Sequence, residues 1–197
     1  MWKLKSINQR SKRTEKLPEK VDREHVIGGQ LVRLHSLALR HLDQSRSWFN
    51  NPELARLLGR IRKISDVEHK EWFSGLHQRE DCVHFAIEVE SGGRYVGNIW
   101  LWDIDPFHRK AELRILIGEA DCLEKGVGTE AIQLLCKYGF GNMNLHKIYA
   151  YVHATNPRAR RAFEKAGFEI EGILKEDRWI EGQFINVYLL GRLHDAR

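Results

Sequence analysis

Apolar and polar residues alternate along several short stretches of this chain. QLVRLHSLA (30–38), VHFAIEVE (83–90), YVGNIWLWDID (95–105), KAELRILIG (110–118) and HKIYAYVHA (146–154) each read as a strand, because side chains two apart share a face. Ser91-Gly92-Gly93-Arg94 joins the second and third as a hairpin turn, and residues 106–109 turn the chain into the fourth. FEIEGILKEDRWIEGQFINVYLLGRL closes the sequence as two strands about Glu181-Gly182.

Between these strands the period changes to that of a helix. Residues 45–59 form a helical stretch broken at Asn51-Pro52, and Ser65 with Glu68 three residues on marks the start of DVEHKEWFSGL. In GVGTEAIQLLCKYGF, Val127, Ala131, Leu134, Leu135 and Tyr138 build one apolar face. NPRARRAFEKAGF (156–168) has Asn156 as its cap, Pro157 at the first helical position and Gly167 past the end, with Ala159, Ala162, Phe163 and Ala166 as its apolar stripe. Helices, a meander of strands, then strand–helix–strand–helix–strand–strand predict an α/β fold of the α+β type, with a mixed sheet rather than a doubly wound parallel one.

The 197 residues suit one domain, with 42% hydrophobic and 30% charged residues as in a soluble globular protein. No apolar run reaches membrane-spanning length, and the N-terminus lacks the apolar core of a signal peptide. Cys82, Cys122 and Cys136 show no C-x-x-C spacing, so neither a disulfide framework nor a metal site is expected, and a cytoplasmic setting fits. The net charge of +5 is concentrated in residues 1–25, where eight Lys and Arg stand against four acids. Residues 26–197 are then nearly neutral and are expected to form a single domain. The basic segment reads first as a solvated extension, with a nucleic-acid- or ribosome-contacting arm as the alternative.

The most chemical segment is CLEKGVGTEA (122–131). Glycines at 126 and 128 open a helix directly after a strand, so the free N–H groups of Gly126, Val127, Gly128 and Thr129 converge on one point. Together with the helix dipole and Lys125 they would hold an anion. The spacing is neither G-x-G-x-x-G nor a P-loop.

These residues, with the Asn156 helix ending in Glu164-Lys165-Ala166-Gly167-Phe168, resemble the GNAT superfamily of acetyl-CoA-dependent N-acetyltransferases. AELRILIG, EKGVGTEA, NLHKIYAYV and EGQFINVYLLGRL are similar to the branch holding ribosomal-protein alanine, spermidine and amino-sugar acetyltransferases. The resemblance covers about residues 27–192. It implies a GNAT-like central mixed, splayed sheet of about seven strands flanked by helices, with the pantetheine of acetyl-CoA between strands 110–118 and 146–154. Ile115 and Ile117 would offer it backbone groups, Asn156 would reach it from the cap, Phe163 would lie where the thiol does, and the pyrophosphate would sit on residues 126–129. Three positions depart from the family: Leu123 replaces a Gln or Arg, Ala159 a Ser, and Phe163 the Tyr that often protonates the leaving thiolate.

Acetyl transfer needs a neutral amine, a donor to the oxyanion and a path for protons. Glu112, on the strand expected to face the acetyl group, is the candidate base, with His84 and His108 as alternatives and an ion pair with Arg109 or Lys110 as its structural reading. Trp48, Asn50, Trp100, Trp102 and His108 are the candidate acceptor wall, with Asp103 and Asp105 nearby. The expected reaction is direct acetyl transfer in a ternary complex to the primary amine of a small molecule, an amino sugar ahead of a protein N-terminus or a polyamine. A non-catalytic acetyl-CoA-binding module is the competing class. The chain is expected to be a monomer or homodimer.

Overall fold

The computed structural model describes residues 26–59, 62–76 and 78–194. The expected N-terminal extension, residues 1–25, lies outside them. Fifteen elements follow in order: β1 (Val26–Gly28), β2 (Val32–Ser36), a single 3-10 turn, α1 (Leu42–Phe49), α2 (Pro52–Leu57), α3 (Asp66–Leu76), β3 (Val83–Val89), β4 (Tyr95–Asp105), β5 (Lys110–Ile117), a second 3-10 turn, α4 (Val127–Gly141), β6 (Lys147–His153), α5 (Pro157–Lys165), β7 (Glu169–Ile180) and β8 (Gln183–Leu193). The strands make one sheet in the order β1-β2-β3-β4-β5-β6-β8-β7, with eight strands where about seven were expected. The extra one is the three-residue β1, too short to show alternation.

Every pairing is antiparallel except β5 with β6. That parallel pairing lasts for three register pairs, Lys110↔Lys147, Ala111↔Ile148 and Glu112↔Tyr149. Beyond Glu112, β5 stays paired with β4 as far as Ile117, and β6 stays paired with β8 as far as His153. The two strands therefore diverge, and the sheet opens into a V.

Alternation sends side chains into two cores. On one face Leu113, Ile148, Ala150 and Val152 pack with Ala131 and Leu135 of α4 and Phe163 of α5. On the other, Leu116 and Trp100 pack with Leu42 and Trp48 of α1 and Phe73 of α3. Glu112, Arg114, Tyr149, Tyr151 and His153 fall on this second face by the two-residue period of a strand. At Gly118 a Cβ would stand 2.0 Å from the Trp48 ring, so only glycine lets α1 lie against the end of β5.

Candidate active site

The V is the mouth of a cavity of about 1210 Å³. One wall is β5, another is β6 continuing into α5, the floor is the turn before α4, and α2 covers the side of the second core. The Gly118 N–H donates to the Val96 carbonyl of β4 at 2.9 Å. Since backbone groups alternate along a strand, those of Ile115 and Ile117 turn the other way, into the cleft. The Ala154 N–H donates to the Asn186 carbonyl of β8, so on β6 the backbone groups of Tyr151 and His153 face the cleft in the same manner. The splay thus leaves two unpaired rows of amides facing each other.

At the floor, Gly126 has φ 85°, a left-handed conformation that favours glycine, and caps α4. The first amides of α4 have no intrahelical acceptor and point out of the helix end. Gly126, Gly128 and Thr129 line the cavity; Val127 does not, because its side chain is buried in the first core. Lys125 is exposed and also outside the lining.

Basic residues come instead from α5. Arg158, Arg161 and Lys165 line the same cavity at spacings of three and four, one helical face. Arg161 lies 3.6 Å from Glu124, linking α5 to the turn across the cleft mouth. Leu123 lines the cavity as well, so apolar contact stands where the family has a polar side chain.

Asn156 caps α5 by accepting the Ala159 N–H at 3.0 Å, and it lines the cavity. Phe163 is 3% exposed, meets Phe168 edge-on at 5.0 Å, and closes the helix side without a hydroxyl. Ile115 and Ile117 line the cleft.

Glu112 sits at the apex, where β5 and β6 part, and is 8% exposed. Its two carboxylate oxygens accept from Arg114 Nε and Nη2, each at 2.7 Å. The partner is Arg114, two residues along the same strand face, rather than Arg109 or Lys110. Arg109 instead donates to the Asn144 carbonyl and side chain at 2.7 Å each. Each Glu112 oxygen keeps a further lone pair for a substrate or a water.

The expected acceptor wall is mostly elsewhere. Trp100 lines the cleft, but Trp48, Asn50, Trp102 and His108 do not. Trp48 is buried beside Tyr95, with its indole N–H donated to Glu119 at 3.1 Å. Asn50 bonds both the N–H and the carbonyl of Ile64, fixing the chain ahead of α3. Trp102 is covered by the guanidinium groups of Arg79 at 4.1 Å and Arg114 at 5.4 Å. His108 is held in an exposed turn by Asp105, whose carboxylate accepts its N–H at 2.8 Å. His84, the other alternative base, stacks on Trp100 at 5.6 Å outside the lining, and burial, with Arg79 and Arg114 adding to it, pushes its pKa down to about 3.

Sequence reasoning missed four contributors. Leu54, Leu57 and Leu58 join Phe49 in the apolar cover over the cleft, with Glu53 beside them. Gln30 and Leu31 reach the floor because Glu130 accepts three backbone N–H groups, from Gln30, Leu31 and Val32, at 2.7–2.9 Å. Tyr151 and His153 line the β6 wall, and Arg178 enters from the β7–β8 hairpin. The strand period signalled the third of these, since Tyr149, Tyr151 and His153 alternate.

A family model described as an acetyltransferase (GNAT) domain matches residues 32–169. The chain belongs to the GNAT acetyltransferases. It is 33% identical over 141 residues to a spermidine N(1)-acetyltransferase of Escherichia coli, covering 72% of this chain and 69% of that one. It is 37% identical over 139 residues to one of Vibrio cholerae, covering 66% and 80%. A crystal structure of the Vibrio cholerae spermidine N-acetyltransferase with CoA and spermine superposes with a TM-score of 0.77 at 28% identity, covering 84% of this chain and 96% of that one. This GNAT protein is an acetyl-CoA-dependent N-acetyltransferase, and acetyl-CoA is its acetyl donor. The competing class, a module that binds the coenzyme without turnover, falls away. Among the described residues no helix is long and apolar enough to cross a membrane.

Proposed function

We propose that the acceptor is a linear polyamine of the spermidine type rather than an amino sugar. The relatives named above support this, since those with an assigned substrate act on spermidine. The observation that carries it in this chain is the acceptor side of the cleft. Phe49, Leu54, Leu57 and Leu58 give an apolar surface suited to methylene chains, with the Glu53 carboxylate at its edge to hold a second ammonium. No described residue bonds or pairs with that carboxylate.

A polyamine nitrogen has a pKa near that of lysine, ~10.4, so the neutral form at pH 7 costs about 4.6 kcal/mol. Glu112 takes the proton, directly or through one water, while Arg114 holds the carboxylate in one orientation. A backbone N–H from the free row, that of Ile115, donates to the oxyanion. Asn156, Ile115 and Ile117 hold the coenzyme arm by backbone and amide contacts, and the α4 amides with Arg158, Arg161 and Lys165 hold its phosphates.

The test is release of coenzyme A from acetyl-CoA with spermidine, spermine, glucosamine and a peptide bearing a free N-terminus. The expected order puts spermidine or spermine first in kcat/KM by at least tenfold. A higher value for the sugar or the peptide overturns the polyamine assignment.

For assembly, we propose a homo-oligomer. Trp179 and Phe184 meet at 4.7 Å on the β7–β8 hairpin and are 62% and 60% exposed, with Ile173 and Leu174 exposed on the same hairpin at the sheet edge. A Vibrio cholerae relative of known structure is dodecameric. Light scattering that returns a monomer at micromolar concentration rejects this.

A further inference from the structure

Transfer from a thioester ends with sulfur carrying an electron pair that needs a proton. Phe163 and Ala159 offer none from α5, and Phe163 is sealed against Phe168. The residues lining the cleft contain two hydroxyl groups, those of Thr129 and Tyr151. Thr129 belongs to the floor, in the first turn of α4, at the end opposite the apex. Tyr151 lies two residues beyond Tyr149, the last residue of β6 paired with β5. It therefore stands one side-chain repeat past Glu112, about 7 Å along the strand and on the same face. That is level with Arg114 on the opposite wall.

The ring is held by Tyr149, edge-on at 5.8 Å. The residue is 43% exposed, it lines the cleft, and its hydroxyl bonds to no described residue, so its proton and lone pairs are available to a bound group. Tyr149 is different. Its hydroxyl sits 3.5 Å from Asp103, outside the cleft lining.

We infer that Tyr151 is the acid of the reaction, protonating coenzyme A from β6 in place of the hydroxyl that α5 lacks. The amine nitrogen forms a bond to the acetyl carbon, the carbon–sulfur bond breaks, and its electron pair stays on sulfur. Sulfur takes the Tyr151 phenolic proton. The proton lost by the new amide nitrogen, through Glu112 or water, returns the phenolate to phenol, so the sum is amine plus acetyl-CoA giving acetamide plus coenzyme A. A hydroxyl donor also stabilises the bound thiolate before any turnover, which gives a readout independent of the acceptor.

The experiment compares the parent with Tyr151→Phe and with the double variant Tyr151→Phe/Phe163→Tyr, which moves the hydroxyl to α5. Ionisation of the bound coenzyme A thiol is followed by ultraviolet absorbance, using desulfo-coenzyme A as the blank. In the parent the thiol is expected to ionise at least one pH unit lower than in Tyr151→Phe. Turnover with spermidine should fall ten- to a hundredfold in kcat with the Kd for coenzyme A unchanged within twofold, and the double variant should regain most of the loss. An unchanged thiol titration, or a kcat fall matched by an equal loss of coenzyme binding, overturns the inference. Because binding and thiol ionisation need no acceptor, failure of the polyamine assignment leaves this test intact.

Discussion

Glu130 Oε2 accepts the Leu31 N–H at 2.7 Å across 99 residues of chain. With the bonds from Gln30 and Val32, one carboxylate in the first turn of α4 holds the β1–β2 turn over the floor of the cleft. Leu31 consequently rests 3.2 Å from where a Cβ on Gly126 would be. Glu130→Ala should cost about 2 kcal/mol in urea unfolding, the scale for losing charge-assisted bonds at a partly exposed site. It should also raise the Kd for coenzyme A more than it lowers kcat. Isothermal titration and steady-state kinetics check the two parts.

Glu112→Gln keeps the shape of the apex but turns an N–H group toward Arg114, where two oxygens now accept. The loss should grow with the basicity of the amine. About a hundredfold fall in kcat/KM is expected for spermidine, and much less for an N-terminal amine whose pKa near 8 leaves it partly neutral. Equal losses for both at pH 7 would remove Glu112 from proton transfer.

Gly118→Ala places a methyl where the Trp48 ring lies. The indole must move, taking its bond to Glu119 with it. Overpacking of this kind costs about 2–3 kcal/mol, visible in urea midpoints. Pairing the substitution with Trp48→Leu should recover much of that loss.

Glu68 closes the start of α3. It accepts from the Ser65 backbone N–H and hydroxyl at 2.8 Å and from Arg62 at 2.7 Å, which hold its pKa down to about 2, the backbone bond contributing most. A depressed carboxylate stabilises the fold above its unfolded pKa and loses that contribution as pH falls through the folded value. The stability gap between parent and Glu68→Gln should be full at pH 6 and shrink between about 4.5 and 2. Denaturant curves at several pH values measure it, and a gap constant over that range contradicts it.

His84 acts in the same direction from a different cause. Burial keeps its ring neutral to about pH 3, whereas the unfolded chain binds a proton near the ordinary histidine value. Between those limits the unfolded state holds more protons, so acid weakens the fold. His84→Phe, which fits between the same tryptophans, should make stability less steep between pH 6.5 and 4. Nitrogen-15 imidazole shifts should show His84 uncharged at pH 5.

Features encoded within one element were legible in the sequence. Asn156, Pro157 and Gly167 delimit α5, Ser65 and Glu68 start α3, and Gly126 starts α4, each through bonds or dihedral angles within a few residues. The strand period puts both Lys110 and Arg114 on the face of Glu112 and Arg109 off it; the choice of Arg114 comes from the bidentate geometry of the fold. The same period also put Trp100 and Trp102 together, yet Trp102 is covered by Arg79 and Arg114, one from the connection before β3 and one from β5. Contributions that depend on how elements meet stayed hidden. The Glu130 carboxylate finds its donors on a turn remote in sequence, and α2 covers the cleft only because it packs with the second core. Tyr151 reads as an ordinary strand aromatic until β5 and β6 are seen to part at Glu112 and Tyr149.

An open sheet ordinarily has two edges; this one has four. Besides β1 and β7 at the outside, the divergence after Glu112 and Tyr149 creates an inner pair, Leu113 to Ile117 on one side and Tyr151 to His153 on the other. Outer edges invite foreign strands. The inner ones are covered by α2 on one face and by α4 and α5 on the other. In the proposed reading, an acyl carrier with amides along its arm would be a temporary ninth strand, entering and leaving once in every catalytic cycle.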